Sequence, residues 1–369
     1  MENNTSEINS NRPVQVKVSR LAIIAFILAF CGSILLFAGI KAIYLPKPLD
    51  SSIPLFVILL NLGILSFISA IILGFISNIL IEKSGGKITG KNFANGSILI
   101  SLFAGSLSIG IVLISQVHQI AFRMVCGTTI SGLGKAVLIY ANDYDDKFPC
   151  AGGETSIWGA SVNWDAQTRE QAFDINSDGT GGEATISSSL YLLVKYAEVT
   201  PKSFICKGDK KMSLFKPETY GSQNKGLTDL WDFGPQPWKH NSYSYHMPYG
   251  SYALTSSSNP GMALAADRNP FIPSPGWKVK DFKKFDPDGD ESATKIGNTP
   301  THANEGQNVL YLDSHVDFET VSFCGINEDN IYTSWNGNDI RKGTPPKVGS
   351  QPANALDSLL VNDPPGQNP

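Results

Sequence analysis

The chain has 369 residues, which is long enough for two or three domains. Its formal net charge of −4 and its pI near 5.8 give no electrostatic reason to expect nucleic acid, so DNA and RNA are set aside as partners. The mean hydropathy of −0.05 averages two contrasting parts, because residues 21–115 are almost wholly apolar whereas residues 142–369 are rich in Gly, Asn, Ser, Asp and Pro.

Three stretches of the apolar part predict membrane-spanning helices. Residues 21–40 carry no charge and reach the roughly 20 residues that a helix needs to cross about 30 Å of hydrocarbon. Residues 53–80 and 96–115 repeat this pattern. A buried soluble helix or a cleavable signal peptide accounts for one such stretch but not for three that are separated by short polar loops. The sequence therefore predicts a three-helix membrane module over residues 21–115.

Lys and Arg residues predict the orientation of this module, because cationic loops are retained on the cytoplasmic side. They are more frequent in the N-terminal tail and after the second span than between the first two spans. The residues, in that order, are Arg12, Lys17 and Arg20, then Lys83, Lys87 and Lys91, then Lys41 and Lys47. The tail, residues 1–20, is therefore expected in the cytoplasm and everything after Ser115 outside it, in a multi-pass protein of the cell inner membrane with the lipid bilayer as a partner.

Four of the five cysteines follow the third predicted span. They are Cys126, Cys150, Cys206 and Cys324. A location outside the cytoplasm is oxidising, so all four are candidates for disulfide bonds. Four cysteines allow three connectivities, and the sequence does not choose among them.

The loop after the second span, EKSGGKITGKNFANGSILI, has a Gly-Gly-x-x-x-Gly spacing followed by Ala94 and Gly96 at the start of the next span. It resembles a small bacterial membrane module of unknown function that is often found at the N-terminus of other domains. The resemblance covers roughly residues 20–115. It implies a membrane location and no chemistry.

A helix is predicted to continue beyond the third span, within residues 116–149. Its apolar positions recur at steps of three and four residues. They are Ile130, Leu133, Val137, Leu138 and Ala141. The polar run from Asn142 to Asp146, followed by Pro149, predicts its end.

Four segments resemble, in their order along the chain, the pseudopilin-like proteins of type II secretion and type IV pili that are abundant in planctomycetes. They are CGTTISGLGKAVLIYANDYDDKFP, KSFICKGD, YSYHMPYG and GMALAADRNP. The family ends in a His, nine residues and Asp-Gly, whereas here ten residues separate His302 from Asp313, and Ser314 replaces Gly. The resemblance implies an α+β extracytoplasmic domain over residues 116–335, with a long N-terminal helix on an antiparallel sheet. Pilins also carry a cleaved leader; three predicted spans stand in its place here, so entry into a pilus-like assembly stays open.

The stretch around His302 and Asp313 has two interpretations. Alternation of apolar residues over 308–321 predicts a hairpin that turns at Asp313 and Ser314 and buries Leu310 and Leu312 on one face, so that His302 and Asp313 are structural. The alternative is a metal-dependent hydrolase, with a Zn²⁺ or Mn²⁺ site of four residues. These residues are Asp267, His302, Asp313 and His315.

Two acidic loops are candidates for Ca²⁺. Asp174, Asn176 and Asp178 occupy positions one, three and five of an EF-hand loop, but Thr185 stands where the loop needs a bidentate Glu. Residues 286–291 offer three alternating aspartates. The alternative for both loops is a solvated turn rich in Asn, Asp and Gly.

Several further features bear on function. Aromatic residues after the spans predict either a core or a sugar-binding surface; they are Trp158, Trp164, Trp231, Trp238 and Trp335, with Tyr243, Tyr245, Tyr249 and Tyr252. No Gly-x-Ser-x-Gly nucleophile motif is present, and residues 336–369 read as a flexible tail. We therefore expect a membrane-anchored structural or interaction protein of the cell envelope, associated with secretion-system proteins, rather than an enzyme. A metal-dependent hydrolase and a polysaccharide-binding protein are the alternatives.

Overall fold

The computed structural model describes residues 17–43, 55–209, 211–222 and 224–366. The chain divides into two compact units, Met1–Val117 and His118–Pro369. The helices are α1 (Arg20–Ile43), α2 (Leu55–Lys83), α3 (Lys91–Asp143), α4 (Arg169–Phe173), α5 (Ile186–Tyr196) and α6 (Glu291–Thr294). The strands are β1 (Lys17–Val18), β2 (Ile88–Thr89), β3 (Ile157–Trp158), β4 (Glu183–Ala184), β5 (Tyr243–His246), β6 (Ala263–Asp267), β7 (Gln307–Tyr311), β8 (Val316–Glu319) and β9 (Leu360–Val361). The chain is thus a mixture of helix and sheet, which is compatible with the predicted α+β class.

Helices of the first unit leave large apolar side chains uncovered. Phe30 of α1 is 57% exposed, Leu65 of α2 is 61% exposed and Phe103 of α3 is 70% exposed. Contiguous apolar surface of this kind is unfavourable in water and is what a bilayer covers. Four stretches are long and apolar enough to span a membrane: Arg20–Gly39, Ile58–Lys83, Lys91–Ile111 and Gln119–Asp143. The first three match the predicted spans, apart from residues 53 and 54, which lie outside the described residues.

The fourth stretch is the part of α3 that was predicted to continue beyond the third span, and it contributes to the core of the second unit. Ile130, Leu133, Val137 and Ala141 are buried, as their spacing predicted, whereas Leu138 lies on the exposed side of the helix. The helix ends at Asp143, where the polar run begins.

A five-stranded antiparallel sheet forms the centre of the second unit, in the order β8-β7-β6-β5-β9. Both faces of this sheet are covered. Leu310 and Leu312 belong to the apolar cluster that includes the buried face of α3, while Val309 and Tyr311 pack in a second cluster on the other face. Burial on both faces explains why the apolar residues of β6, from Ala263 to Ala266, are consecutive.

The hairpin predicted over residues 308–321 is confirmed. β7 and β8 pair antiparallel from Gln307 opposite Glu319 to Leu310 opposite Val316. Ser314, at the turn, has a φ of 72°, the left-handed region in which Gly is the least strained residue.

The segment 336–369 was predicted as a flexible tail, and this prediction is wrong for residues 336–366. Leu359, Leu360 and Val361 are fully buried, and β9 pairs with β5 at the edge of the sheet. The boundary at residue 335 is therefore wrong as well. A short apolar run is enough for an edge strand, because it only has to pair with the outer strand of a sheet that already exists. The flanks rich in Pro, Gly and Asn do not prevent this pairing.

The carboxylate of Asp363 fixes this segment to the N-terminus of α5. It accepts hydrogen bonds from the indole nitrogen of Trp158 at 3.0 Å, the backbone N–H of Ile186 at 3.0 Å and the backbone N–H of Ser187 at 2.7 Å. Backbone N–H groups in the first turn of a helix have no partner within the helix, and the helix dipole favours a negative charge there. Asp363 therefore caps α5 from a distant part of the chain.

A second buried carboxyl group, Asp232, lies at the same helix end. Its Oδ2 accepts hydrogen bonds from the hydroxyls of Thr185 at 2.6 Å and Ser187 at 3.1 Å. Burial, and next the negative charge of Asp363, raise the pKa of Asp232 to about 8. Burial also raises the pKa of Asp329 to about 8.

These two groups predict a stability that falls as pH rises. Their folded pKa values lie above the ordinary value of 3.8, so the folded state holds the protons more tightly than the unfolded state does. The stabilisation is complete below about pH 4 and is lost as pH rises toward 8. We expect the free energy of unfolding, measured with denaturant at pH 5 and pH 8, to decrease between the two. Asp232→Asn should reduce this slope, and an unchanged slope would contradict the assignment.

Candidate functional site

A cluster of buried polar side chains joins α3 to the central sheet within the second unit. Cys126 comes from α3, Cys206 follows a short 3-10 helix, Asp267 ends β6, His302 ends a second short 3-10 helix, and Asn308 lies in β7. Each of the five is at most 3% exposed. Neighbouring strands bring Asp267 and Asn308 together, because β6 and β7 pair side by side.

His302 is the hub of this cluster. Its Nε2 lies 3.1 Å from Oδ2 of Asp267, 3.2 Å from Nδ2 of Asn308 and 3.7 Å from Sγ of Cys206. Asn308 in turn holds the carboxylate, since its backbone N–H and its side-chain amide donate to Asp267 Oδ2 at 2.7 and 3.0 Å. The Tyr332 hydroxyl donates to the backbone carbonyl of Asp267 at 2.6 Å. The orientation of the imidazole and the carboxylate is therefore fixed by contacts on several elements.

Of the four candidate disulfide cysteines, the structure joins Cys126 to Cys206 and leaves the other two as free thiols. The Cα atoms of the bonded pair are 5.4 Å apart, and the bond ties α3 to a loop 80 residues further along the chain. Burial raises the pKa of the Cys150 thiol to about 11 and raises that of Cys324 as well. Both free thiols are therefore protonated at neutral pH and are poor nucleophiles.

Two glycines next to the cysteines make room for the cluster. A Cβ at Gly127 would lie 3.0 Å from Oδ1 of Asn308, and a Cβ at Gly208 would lie 3.2 Å from Nδ1 of His302 and 2.8 Å from the carbonyl oxygen of Thr301. The contact with the Thr301 backbone oxygen is too close for a side chain at residue 208 unless the backbone shifts, and the contacts with Asn308 and His302 are tighter than ordinary packing. These glycines, which closely follow the cysteines, were a sequence signal that the motif analysis missed.

The four residues of the predicted hydrolase site are divided between two places. Asp267 and His302 meet in the buried cluster, whereas Asp313 and His315 lie half-exposed at the hairpin turn, where His315 Nδ1 hydrogen-bonds to Asp313 Oδ1. Tyr311, next to the turn, pairs with Ala263, which is four residues before Asp267 and hence roughly 13 Å from it along the strand. The two motif residues, His302 and Asp313, therefore occupy different environments.

The predicted calcium loop is closed by its own hydrogen bonds. Oδ1 of Asp178 accepts from the backbone N–H of Thr180 at 3.0 Å and from its hydroxyl at 2.6 Å, which lowers the pKa of this exposed carboxyl. The Asn176 amide also contacts the Thr180 hydroxyl, and Asp174 caps the C-terminus of α4. Binding of Ca²⁺ here stays a prediction.

Tryptophan side chains of the second unit serve mainly as core. Trp158 and Trp231 are buried, and the Trp231 indole nitrogen donates to the carbonyl oxygen of Ala166 at 3.1 Å. Trp164 packs edge-to-face on Phe215. A cavity of about 610 Å³ in this unit is lined by Trp231 together with tyrosines and charged side chains, among them Tyr144, Arg169 and Tyr196.

Among the residues that the structure describes, one group of three or more His, Cys, Asp or Glu ligands converges closely enough for a metal ion. It consists of Cys126, Cys206 and His302, whose ligand atoms lie within 4.8 Å of one another. No protein family, no curated protein and no solved structure matches this chain. Functional inference therefore rests on this geometry and on the membrane-spanning stretches.

Proposed function

We propose that this protein is a membrane-anchored, pseudopilin-like structural or interaction protein of the cell envelope. It presents its second unit, His118–Pro369, on the outer side of the cell inner membrane to envelope or secretion-system proteins. The observation that carries this proposal is the buried Cys126–Cys206 disulfide in a chain with membrane-spanning stretches. Disulfides form and persist outside the cytoplasm, so the bond supports an extracytoplasmic location of the unit that contains it.

Burial of the polar cluster favours a binding role over catalysis. Asp267 and His302 have no exposed surface, so a substrate has no access to the carboxylate or the imidazole. The exposed pair, Asp313 and His315, bonds to each other and lies at a turn. A general acid or base must reach the proton that it transfers, and neither pair combines such access with a nucleophile.

The pseudopilin-like layout is part of the proposal and is supported by packing. The buried face of α3 shares one apolar cluster with β5, β6 and β7, which places a long helix against an antiparallel sheet. The order of the resembling segments along the chain agrees with this arrangement. Neither feature identifies the partner.

Topology reporters test the location. Alkaline phosphatase fused after Pro369 should be active, and the same enzyme fused at Gly86 should be inactive, because phosphatase folds only outside the cytoplasm. A fusion at Asp50, in the loop between the first two predicted spans, is the matched control and should be active. Activity at Gly86 combined with inactivity after Pro369 would reverse the orientation and contradict the proposal.

Thiol labelling in cells tests the disulfide itself. After acid quenching, a bulky maleimide should modify Cys126 and Cys206 only once a reductant has been added. Cys126→Ser should free the Cys206 thiol for labelling without reduction, whereas Cys150→Ser should leave the protection of Cys126 and Cys206 unchanged. If both cysteines are labelled in unreduced and denatured wild-type protein, the bond is absent in the cell.

A further inference from the structure

We propose that the buried cluster is a redox-dependent metal site. In the oxidised protein, Cys126 and Cys206 form the disulfide. In the reduced protein, their two thiolates bind one Zn²⁺ together with Nε2 of His302 and Oδ1 of Asp267. This inference goes beyond the proposed envelope role and does not depend on it.

The ligand atoms are already close to the positions that a tetrahedral ion needs. The two sulfurs and a ring nitrogen of His302 lie within 4.8 Å of one another, and Asp267 Oδ2 is 3.1 Å from His302 Nε2. Around Zn²⁺, with Zn–S near 2.3 Å and Zn–N or Zn–O near 2.1 Å, neighbouring ligand atoms are about 3.3–3.8 Å apart. Once the disulfide is open, shifts on the order of 1 Å bring the two sulfurs and the imidazole nitrogen into such a shell, and the Asp267 carboxylate, which lies outside this group of three, turns toward it.

The identity of the ligands favours zinc. Two thiolates, an imidazole and a carboxylate form a set of soft and borderline donors without an exchangeable water position, which is the pattern of structural Zn²⁺ sites. All four residues are buried to at least 99%. A closed site of this kind holds a metal for stability rather than for catalysis.

A second observation points to a ligand at this place. Oδ1 of Asp267 is buried without a hydrogen-bond donor. A buried carboxylate oxygen that lacks a donor destabilises the folded state, and a cation bound to that oxygen offsets this destabilisation. The backbone N–H and the amide of Asn308 hold the other oxygen, the supporting contact that metal-binding carboxylates usually have.

A dithiol can reduce the Cys126–Cys206 disulfide. The dithiol gives two electrons and two protons to the Cys126–Cys206 bond, which breaks to two thiols, and the reductant becomes a cyclic disulfide. Binding of Zn²⁺ then releases the two thiol protons to solvent, because thiolates are the metal ligands. Metal loss followed by two-electron oxidation, with a disulfide as the acceptor, restores the original bond.

Metal analysis of the full chain in detergent tests this proposal. Oxidised protein and protein reduced with a phosphine are each incubated with Zn²⁺, desalted and analysed for zinc. We expect about one zinc per reduced chain and none above background in the oxidised chain. With Co²⁺ in place of Zn²⁺, reduced protein should show the intense ligand-field bands of tetrahedral cobalt and a thiolate-to-cobalt charge-transfer band.

Matched variants separate this site from adventitious binding. His302→Gln and Cys206→Ser should abolish the cobalt spectrum, and Asp267→Asn should weaken metal retention at least tenfold. His315→Gln, Cys150→Ser and Cys324→Ser change the same residue types elsewhere in the chain and should leave the spectrum unchanged. Because a cluster variant can fail to fold, near-ultraviolet circular dichroism of each sample is recorded alongside.

Three results would overturn the proposal. The first is reduced, folded wild-type protein that retains no zinc and gives no tetrahedral cobalt spectrum. The second is equal zinc retention by oxidised and reduced protein or by His302→Gln. The third is wild-type protein that loses its near-ultraviolet circular dichroism on reduction even with Zn²⁺ present.

Discussion

Truncation of the chain after Asn354 is expected to leave the second unit unfolded. The deletion removes Leu359, Leu360 and Val361, which are fully buried, together with Asp363. Burial of a Leu or Val side chain stabilises a fold by about 1.5–3 kcal/mol, and each buried donor left without an acceptor costs about 1–3 kcal/mol. The sum is comparable with the 5–15 kcal/mol that typically separates folded from unfolded protein. Near-ultraviolet circular dichroism and limited proteolysis of the detergent-solubilised protein measure the loss.

Two further variants make this test specific. Truncation after Gly366 keeps β9 and Asp363, and we expect it to behave as the full chain does. Asp363→Ala alone removes the acceptor of three buried donors, so it should lower the free energy of unfolding by about 3–5 kcal/mol. If the chain ending at Asn354 resists protease as well as the full chain does, the C-terminal segment is dispensable.

Replacing Leu310 with Ala should lower the free energy of unfolding by about 2–5 kcal/mol. Leu310 is buried in β7 and packs directly against α3, where a Cβ at Gly134 would lie 2.8 Å from its Cδ1. Because the Leu310 side chain fills the space against Gly134 of the helix, its truncation leaves a cavity in this contact. Thermal or denaturant unfolding measures the change, and Leu312→Ala should fall in the same range.

Ser314→Gly is the control for this pair, since it alters the same hairpin without removing core. Gly relieves the positive φ at residue 314, so the variant should be neutral or more stable by up to about 1 kcal/mol. A Leu310→Ala protein that melts like wild type, or a Ser314→Gly protein that is clearly destabilised, contradicts the packing described for this hairpin.

Local periodicity made part of the fold predictable. Ile130, Leu133 and Val137 recur with the period of a helix, and they do form the buried face of α3. The alternation around Asp313 and Ser314 predicted a hairpin, and β7 and β8 form one. In both cases the signal and the structure involve residues close together in the chain.

Burial of the second sheet face was not predictable in the same way. The hairpin was predicted to bury Leu310 and Leu312 on one face, but Val309 and Tyr311 on the other face are buried too, where Ile331, Tyr332 and Leu360 from the C-terminal part of the chain cover them. Only three consecutive apolar residues mark that segment, and a short apolar run has no periodicity. Whether this segment forms a strand depends on the free edge of β5, and that edge exists only in the folded sheet.

The buried cluster was only half predictable, for a similar reason. Asp267 and His302 were grouped as ligands, and the structure brings them to 3.1 Å. Cys126 and Cys206 were considered as disulfide partners but not as neighbours of His302, because the contact depends on how α3 lies on the sheet. Asp313 and His315 were added to the site because they are near His302 in sequence. The extended strand β7 lies between them, however, and separates them in space.

Strand order also has a consequence during synthesis. β5 ends at His246, but its outer neighbour β9 begins only at Leu360. At roughly 5–20 residues per second, the ribosome needs on the order of 5–20 s to make the intervening chain of about 110 residues. Throughout that interval one side of β5 presents unpaired N–H and C=O groups to whatever surrounds the nascent polypeptide. A chain that terminates before Leu360 keeps this edge of β5 unpaired.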